Sequence, residues 1–104
     1  MKRGEVWWVD DAPRAGRRPH LVLSRDRVLL TLVSVIAVPA TRTVRGIPTE
    51  VALGVDDGMP EECALALDSL TVMARERFGE PICTLSRARM NEVCRALARA
   101  TGCT

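Results

Sequence analysis

The stretch LVSVIAVP, residues 32–39, is the clearest indicator of the fold because its side chains are almost all apolar. A strand with one face in water alternates apolar and polar residues, whereas a strand covered on both faces is almost continuously apolar. Pro39 has no backbone N–H to give to a sheet and marks the end of the run. We therefore predict a central strand over residues 32–39, buried on both sides.

Shorter segments around this strand also have the composition of β-structure. They are rich in β-branched and other apolar residues and are separated by Gly, Pro and Asp, which favour turns. A turn through Gly46 and Pro48 indicates a hairpin between the central strand and the segment that follows it. One helical turn is expected over residues 74–78, and strands are predicted at 4–9, 20–24 and 49–53, in two pieces within 63–73 bent at Asp68 and Ser69, and at 80–85.

The last part of the chain changes to the apolar spacing of a helix. The pattern predicts a helix over residues 87–101, with Ser86 as its N-cap and Gly102 just after its end. Leu85 and Met90 are spaced as a hydrophobic staple. The apolar stripe expected to face the sheet consists of Met90, Val93, Cys94, Leu97 and Thr101.

These elements together predict a mainly β fold with a C-terminal helix, in the α+β class. The short, closely spaced strands are typical of a small, strongly bent antiparallel sheet, half-open or closed as a barrel. No linker or internal repeat divides the 104 residues, so we expect a single domain over residues 1–104. A monomer of this size buries a modest core and would be marginally stable.

Cysteine usage and hydropathy indicate the compartment. No segment is apolar and long enough to span a bilayer, and the N-terminus lacks a signal-peptide core, so we expect a cytoplasmic protein. The four cysteines are 20, 11 and 9 residues apart, without the close pairs typical of a zinc site. Cys63, Cys83 and Cys94 are expected to be buried apolar side chains, and Cys103 a free thiol at a frayed terminus.

The charge of the chain is unevenly distributed. Residues 1–45 carry nine Lys and Arg against four Asp and Glu, a net +5, whereas residues 46–104 carry six against nine, a net −3. Seven arginines follow three of the predicted strands, and planar, permanently charged guanidinium groups gathered on one face would bind phosphates. This set favours nucleic acid over a neutral ligand and consists of Arg14, Arg17, Arg18, Arg25, Arg27, Arg42 and Arg45.

Two residues in this basic region are candidates for chemistry. Pro19 fixes the backbone directly after Arg18, and a rigidly mounted guanidinium can be oriented in advance to stabilise charge on a phosphate. The alternative for Arg18 is a solvated loop arginine. Thr41 follows the central strand, where its hydroxyl either binds a phosphate oxygen or serves an ordinary turn.

The sequence has few of the histidines and grouped carboxylates that other hydrolytic mechanisms need. His20 is the one histidine, so the chain has no histidine acid–base pair, and the carboxylates are not grouped for a two-metal site. We expect no metal and no cofactor. Asp10, Asp11 and Asp26 are better explained as partners of the arginines, and the acidic residues between 56 and 62 as a solvated loop.

Adjacent tryptophans lie in the first predicted strand. Because side chains alternate along a strand, Trp7 and Trp8 should point to opposite faces, one into the core and the other partly exposed. The exposed ring would stack on a base or lie in a dimer contact, and we favour the dimer contact or plain packing.

Four segments of the sequence occur in an order that a known family shares. They are RGEVWWVD near the start, GRRPHLVLSRD after one loop, VIAVPATRTVRGIPTEVAL in the middle and LSRARMNEVCRALARATG at the end. Together they cover nearly the whole chain, and it resembles the MazF/PemK toxins of bacterial toxin–antitoxin systems. The resemblance implies an SH3-like barrel with appended helices, a homodimer, and an endoribonuclease that cuts single-stranded RNA at short sequences and arrests translation. It also implies a cognate antitoxin whose acidic segment covers the active site.

The resemblance further implies roles for Arg18 and Thr41, which match the family's catalytic arginine and threonine. The ribose 2′-hydroxyl would attack the adjacent phosphate without a metal and leave a cyclic phosphate. Arg18 would stabilise the pentavalent phosphorus and protonate the leaving oxygen, and Thr41 would position the phosphate. An arginine is a poor general base because its pKa is above about 12, so the base stays unassigned.

Two departures from the family and two other functions remain open. The first loop, DDAPRAG, is short and lacks the family's frequent Gly-Ser-Glu segment, and Ser69 and Leu70 replace its Gln-Ile-Arg. These changes would alter the recognised RNA sequence or weaken cleavage. The alternatives are a noncatalytic toxin of the same fold that inhibits a protein such as gyrase, and a basic RNA-binding module, which would have no need of Thr41.

Overall fold

The computed structural model describes residues 1–13, 16–31 and 33–103 of the chain. Within these residues the order of elements is β1 (Glu5–Asp10), β2 (Arg17–Val22), α1 (Asp26–Leu29), β3 (Ser34–Thr41), β4 (Glu50–Leu53), β5 (Cys63–Ala66), β6 (Thr71–Ala74), β7 (Phe78–Thr84) and α2 (Arg87–Thr101). Single 3-10 turns lie at Val55–Asp57, Leu67–Ser69 and Arg75–Arg77.

The pairing of β2 with β3 forms the centre of the sheet. Leu21 lies opposite Val38 and Val22 lies opposite Ala37 in an antiparallel register, and all four side chains are fully buried. Alternate residues point to opposite faces, so Leu21 and Val38 join the apolar cluster that α2 covers, while Val22 and Ala37 join a second cluster with Leu29 of α1. The predicted burial of the central strand on both faces is confirmed in this paired part.

Both central strands extend further than the sequence indicates. β3 continues two residues past Pro39 because Ala40 and Thr41 pair with β5 on its other edge. β2 begins at Arg17, not His20, because its first residues pair with β1 beyond the region that β3 covers. Arg17 and Arg18 therefore lie on a strand, not in a loop. The predicted central strand began at Leu32, which lies outside the described residues.

The predicted hairpin between the third and fourth strands is wrong. The sheet order is β4-β5-β3-β2-β1-β7, with β6 also paired to β3, so β5 lies between β3 and β4. β5 pairs with the C-terminal end of β3, and β6 pairs with its N-terminal half. The turn Leu67–Ser69 carries the chain between these two positions, and it confirms the bend predicted at Asp68 and Ser69. The result is a bent, barrel-like antiparallel sheet that does not close.

The C-terminal helix has the predicted bounds and the predicted caps. The Ser86 hydroxyl oxygen accepts a bond from the Arg89 N–H at 3.1 Å, and Gly102 adopts a left-handed φ of 72°. The buried face differs from the predicted stripe, because Cys94 and Thr101 are exposed and Ala96 is buried in their place. The small Ala96 side chain lets this face lie close to the sheet.

The cysteines are all free thiols with unequal burial. Cys63 is buried, as predicted, whereas Cys83 is only half-buried and Cys94 is exposed, which corrects the prediction for these two. Burial raises the pKa of the Cys63 thiol to about 11, so this thiol is protonated at neutral pH. Cys103 is exposed near the C-terminus. Neither helix in the described part of the chain is long and apolar enough to cross a membrane.

The short helix α1 was not predicted. Residues 26–29 begin three residues after the end of β2, and Leu29 is 1% exposed, so the turn is held by burial of that side chain. Arg75 also donates a bond to the Leu29 carbonyl oxygen. Four residues give too short a pattern to show helical periodicity.

The loop between β4 and β5 packs tightly against β7. Gly58 has a left-handed φ of 95°, and a Cβ at this position would stand 2.7 Å from the Cβ of Cys83, so the contact requires glycine. This approach places Met59, Pro60 and Glu61 beside the ends of β2 and β3.

Asp57 ties the same loop to α2. Its carboxylate accepts bonds from the Arg89 Nε–H and the Gly54 N–H, each at 2.9 Å. Arg89 also donates to Glu92 at 2.9 Å. The bond from the Arg89 guanidinium holds the pKa of Asp57 below its ordinary value, and the same bond raises the pKa of Arg89.

Replacing Asp57 with Asn should remove the ion pair while keeping an oxygen for Gly54. Because Arg89 is 33% exposed, we expect the free energy of unfolding at neutral pH to fall by only about 1 kcal/mol. The folded-state pKa of Asp57 is depressed, so its stabilisation is complete above the unfolded-state pKa of about 4 and is lost as pH falls through the folded-state value. Urea unfolding of both proteins at neutral and acid pH measures this difference.

The exposed neighbour provides a matched control. Asp56→Asn should unfold with the wild-type free energy, because Asp56 has no ion pair among the described contacts. A difference between wild type and Asp57→Asn that stays constant down to acid pH would contradict the assignment.

Candidate active site

Arg18 is fixed to the end of the central strand. The β2–β3 pairing ends at His20 and Pro39, so Arg18 and Thr41 each lie two residues beyond the last paired residues. The Arg18 Nε–H donates to the Ala40 carbonyl oxygen at 2.8 Å. This bond uses one edge of the guanidinium and leaves its two terminal nitrogens available. The Arg18 guanidinium is thus held in a defined position on a strand, so Arg18 is not a solvated loop residue.

Arg18 and Thr41 line one cavity of about 200 Å³. The cavity is bounded by strands β1 and β2, by the end of β3 and by the loop that Gly58 holds in place. Three guanidinium groups and one carboxylate lie along it, so its charge favours an anion. Its principal lining residues are Trp8, Arg17, Arg18, Thr41, Arg42, Met59, Pro60 and Glu61.

Thr41 has its hydroxyl proton available to a ligand. The Thr41 hydroxyl oxygen accepts a bond from the Thr43 N–H at 3.1 Å. Because that bond uses a lone pair of the oxygen, the O–H can donate to a phosphate oxygen in the cavity. The hydroxyl and the guanidinium of Arg18 are therefore complementary donors to one anionic group.

The two tryptophans lie in different surroundings, as the strand alternation predicts, but both are half-buried and neither lies fully in the core. Trp8 lines the cavity, and the Arg17 guanidinium lies over its ring at 5.1 Å from the centroid. Trp7 packs against the second core cluster, and its indole N–H donates to Glu5 at 3.0 Å. Trp8 thus supplies an aromatic surface next to Arg18.

The arginines of the predicted basic set do not all meet at this cavity. Arg17 and Arg42 lie there with Arg18, and Arg42 lies 3.2 Å from the carboxylate of Glu61. Arg25 lines a separate apolar depression near Leu97. The remaining members are Arg27, exposed on α1, Arg45, exposed in the loop after β3, and Arg14, which lies outside the described residues.

His20 lies beneath Arg18 and has a different role from a surface catalyst. It is 1% exposed, and its Nδ1 is 3.1 Å from the Arg18 carbonyl oxygen. Burial lowers the pKa of His20, because a charged imidazolium would lose its hydration, so the ring is neutral at physiological pH. The side chain supports the strand that carries Arg18.

Asp11 lies on the other side of Arg18. Its Oδ2 is 3.8 Å from an Arg18 terminal nitrogen, which confirms the predicted pairing of this aspartate with an arginine. Both residues line a second cavity of about 390 Å³. Across residues 1–13, 16–31 and 33–103, no three His, Cys, Asp or Glu side chains converge as a metal-binding group.

The sequence did not indicate the contribution of the 59–61 loop. Glu61 was interpreted as part of a solvated acidic loop, yet it borders the cavity and pairs with Arg42. The signal that could have found it is Gly58, whose left-handed φ turns the chain toward the site.

Comparisons with known proteins agree on one family. The family model described as PemK-like, MazF-like toxin of type II toxin–antitoxin system matches residues 2–101. The chain is 39% identical to the probable endoribonuclease MazF2 of Mycobacterium tuberculosis, over 99% of this chain and 100% of that protein. It is 38% identical to the probable endoribonuclease MazF5 of the same species, over 97% and 93%.

A solved structure extends the agreement to the fold. An endoribonuclease in complex with its cognate antitoxin, from a mycobacterial species, superposes with a TM-score of 0.90 at 30% identity, covering 100% of this chain and 97% of that one. Since the family model, the relatives and the fold match from end to end, the chain belongs to the PemK-like, MazF-like toxins of type II toxin–antitoxin systems.

Proposed function

We propose that this MazF-type endoribonuclease cleaves single-stranded RNA in the cytoplasm without a metal ion, and that Arg18 and Thr41 carry the chemistry. The observation that carries the proposal is the fixed guanidinium of Arg18, held by the Ala40 carbonyl at 2.8 Å and lining one cavity with Thr41. Cutting of RNA inhibits translation and growth, which accounts for the toxicity.

The proposed reaction is a transfer of the phosphate to the neighbouring 2′-oxygen. The 2′-oxygen forms a bond to phosphorus and gives up its proton, while the bond from phosphorus to the 5′-oxygen breaks and that oxygen gains a proton. The products are a 2′,3′-cyclic phosphate and a free 5′-hydroxyl. Negative charge grows on the nonbridging oxygens, where the terminal nitrogens of Arg18 and the Thr41 hydroxyl donate.

Residues around Arg18 suit a single-stranded polyanion. Trp8 lines the cavity with an aromatic ring on which a base can stack, and the Arg17 guanidinium, 5.1 Å from the ring centroid, adds charge next to it. Arg42 also lines the cavity. The more distant Arg25, Arg27 and Arg45, with Arg14, would contact phosphates farther along the RNA.

The proposed assembly is a homodimer controlled by a cognate antitoxin. An acidic segment of the antitoxin fits the excess of guanidinium groups in the cavity and would exclude RNA by occupying it. The paired strands β3 and β6 expose Ile36 and Val72, at 42% and 62%, on one surface. Contact with a second copy would remove this apolar surface from water.

Cleavage should depend on both catalytic residues. In excess EDTA, wild type should cut a long single-stranded RNA at discrete sites, with cyclic phosphate ends. Arg18→Ala should lose about 100- to 1,000-fold in rate, because a donor to the developing charge is gone. Thr41→Ala should lose about tenfold, the effect of one hydrogen bond. Mapping fragment ends by sequencing measures both sites and rates.

Two further variants test the assignment. Arg18→Lys should stay impaired, because a point charge does not replace a planar, two-nitrogen donor. Arg95→Ala, an exposed arginine on α2, should cleave as wild type does. Intact RNA with a folded, dimeric wild-type protein would overturn the proposal and favour the noncatalytic toxin or the binding module.

Binding should weaken with salt in proportion to the phosphates contacted. With RNA that carries 2′-O-methyl groups and cannot be cut, log Kd should rise linearly with log salt concentration. Arg17→Ala and Arg42→Ala should each reduce the slope by about 0.7, the value for one single-strand phosphate contact. Fluorescence anisotropy at several salt concentrations gives the slopes, and a salt-independent Kd would contradict RNA binding at this surface.

An acidic antitoxin segment should protect the basic cavity. We expect hydrogen exchange of the amides at residues 16–18 and 41–43 to slow at least several-fold in the complex with antitoxin. Amides at the exposed start of α2 serve as the internal reference. If the antitoxin slowed hydrogen exchange only in other segments, and exchange at residues 16–18 and 41–43 stayed unchanged, the antitoxin would bind elsewhere on the protein.

A further inference from the structure

Arg18 separates two neighbouring cavities. The first contains Thr41 and Trp8, and the second contains Asp11 together with Ser69 and Thr71. A phosphate bound to the terminal nitrogens of Arg18 would lie where the two cavities meet. The nucleosides on either side of that phosphate would then extend in opposite directions, one into each cavity.

Asp11 is held at this boundary. Its backbone N–H donates to the Gly16 carbonyl oxygen at 2.6 Å, which closes the turn between β1 and β2. The side chain is 16% exposed and opens into the second cavity. Among the described residues, Asp11 has the one carboxylate within 4.0 Å of Arg18.

The separation of Asp11 from Arg18 leaves both groups available. At 3.8 Å the charges attract each other, but the distance is too long for a hydrogen bond. The carboxylate therefore retains lone pairs for a substrate proton, and the guanidinium retains protons for a phosphate. A 2′-hydroxyl that approached from the side could lie within hydrogen-bond distance of the Asp11 carboxylate and next to a phosphate bound by Arg18.

We propose that Asp11 is the general base of the cleavage reaction, and this inference rests on the proposed function. The Asp11 carboxylate accepts the proton of the 2′-hydroxyl as the 2′-oxygen bonds to phosphorus. The bond to the 5′-oxygen breaks, and that oxygen takes a proton from a water molecule. The resulting hydroxide takes the proton from Asp11, which restores the carboxylate and the water.

Several charged groups face this carboxylate and set its surroundings. Arg18 and the neutral His20 lie on β2, and Arg77, in the turn before β7, borders a cavity together with Asp11. Asp10 precedes it in the chain, with its own carboxylate turned to the Ala12 N–H at 3.0 Å. Asp11 thus lies among arginines from two separate elements, β2 and the turn before β7.

The test uses single-turnover cleavage of an oligonucleotide with one ribonucleotide at a mapped cut site. For wild type, the logarithm of the cleavage rate should rise with pH, with a slope of about one, over the acid part of the pH profile (the acid limb) and then level off. Asp11→Asn should lower the maximal rate by about 100-fold or more and abolish the acid limb. Asp11→Glu should restore part of the rate together with the limb. Asp10→Asn is the matched control and should behave as wild type.

A second measurement separates catalysis from folding and from binding. The Kd of Asp11→Asn for the 2′-O-methyl RNA should stay within about threefold of wild type, and its thermal unfolding should be cooperative. If Asp11→Asn kept the acid limb of the wild-type pH profile, the inference would be overturned, whether its rate were normal or reduced. A reduced rate with an intact acid limb would identify a residue that only positions Arg18. An inactive wild type would instead overturn the proposed function, and the inference with it.

Discussion

The antiparallel pairing of β2 with β3 is the constraint on which the site depends. Both strands are buried on two faces where they pair, so their backbone groups have no water to bind and must bond to each other. If a strand slipped by one residue, its side chains would move to the opposite face of the sheet. Leu21 or Val38 would then lie in the cluster that holds Val22 and Ala37, and the reverse. The register is therefore strongly determined by packing. It also brings Arg18 and Thr41 to the same cavity.

The same arrangement explains how a flexible arginine becomes a defined donor. An arginine side chain has many rotamers, and ordering it costs conformational entropy. Here the strand fixes the backbone of Arg18, the Ala40 carbonyl holds Nε, and Asp11 attracts one terminal nitrogen. Much of the ordering therefore takes place on folding and not when RNA binds. Donors oriented before substrate arrives are those that contribute most to stabilising developing charge.

Local patterns predicted the parts of the fold that local interactions determine. The bounds of α2 followed from its periodicity, Ser86 and Gly102, and the burial of β2 and β3 followed from their continuous apolar runs. Strand order could not be predicted in this way, because β5 reaches its position between β3 and β4 through pairing with residues far away in sequence.

The site shows the same division between local and distant determinants. The pairing of Asp11 with an arginine and the exposure of one tryptophan were anticipated from neighbouring residues. The position of Glu61 at the cavity depends on Gly58 lying against Cys83, a contact with β7 that the spacing of these residues does not encode. The separation of Arg25 from Arg18 is local, because Arg18 lies near the start of β2, Arg25 lies beyond its other end, and a strand rises about 3.3 Å per residue.

The size of the first cavity limits what it can recognise. At about 200 Å³ it is smaller than the roughly 300–1,000 Å³ of sites that enclose drug-sized ligands, so it holds part of one nucleotide. Sequence selectivity must then come largely from neighbouring surfaces. Ser69 and Leu70, where the chain departs from the MazF/PemK pattern, line the second cavity with Asp11. In the proposed binding mode that cavity would receive the nucleotide whose 2′-hydroxyl attacks, so we propose that this substitution changes the base recognised next to the cut and leaves the proposed roles of Arg18 and Thr41 unchanged.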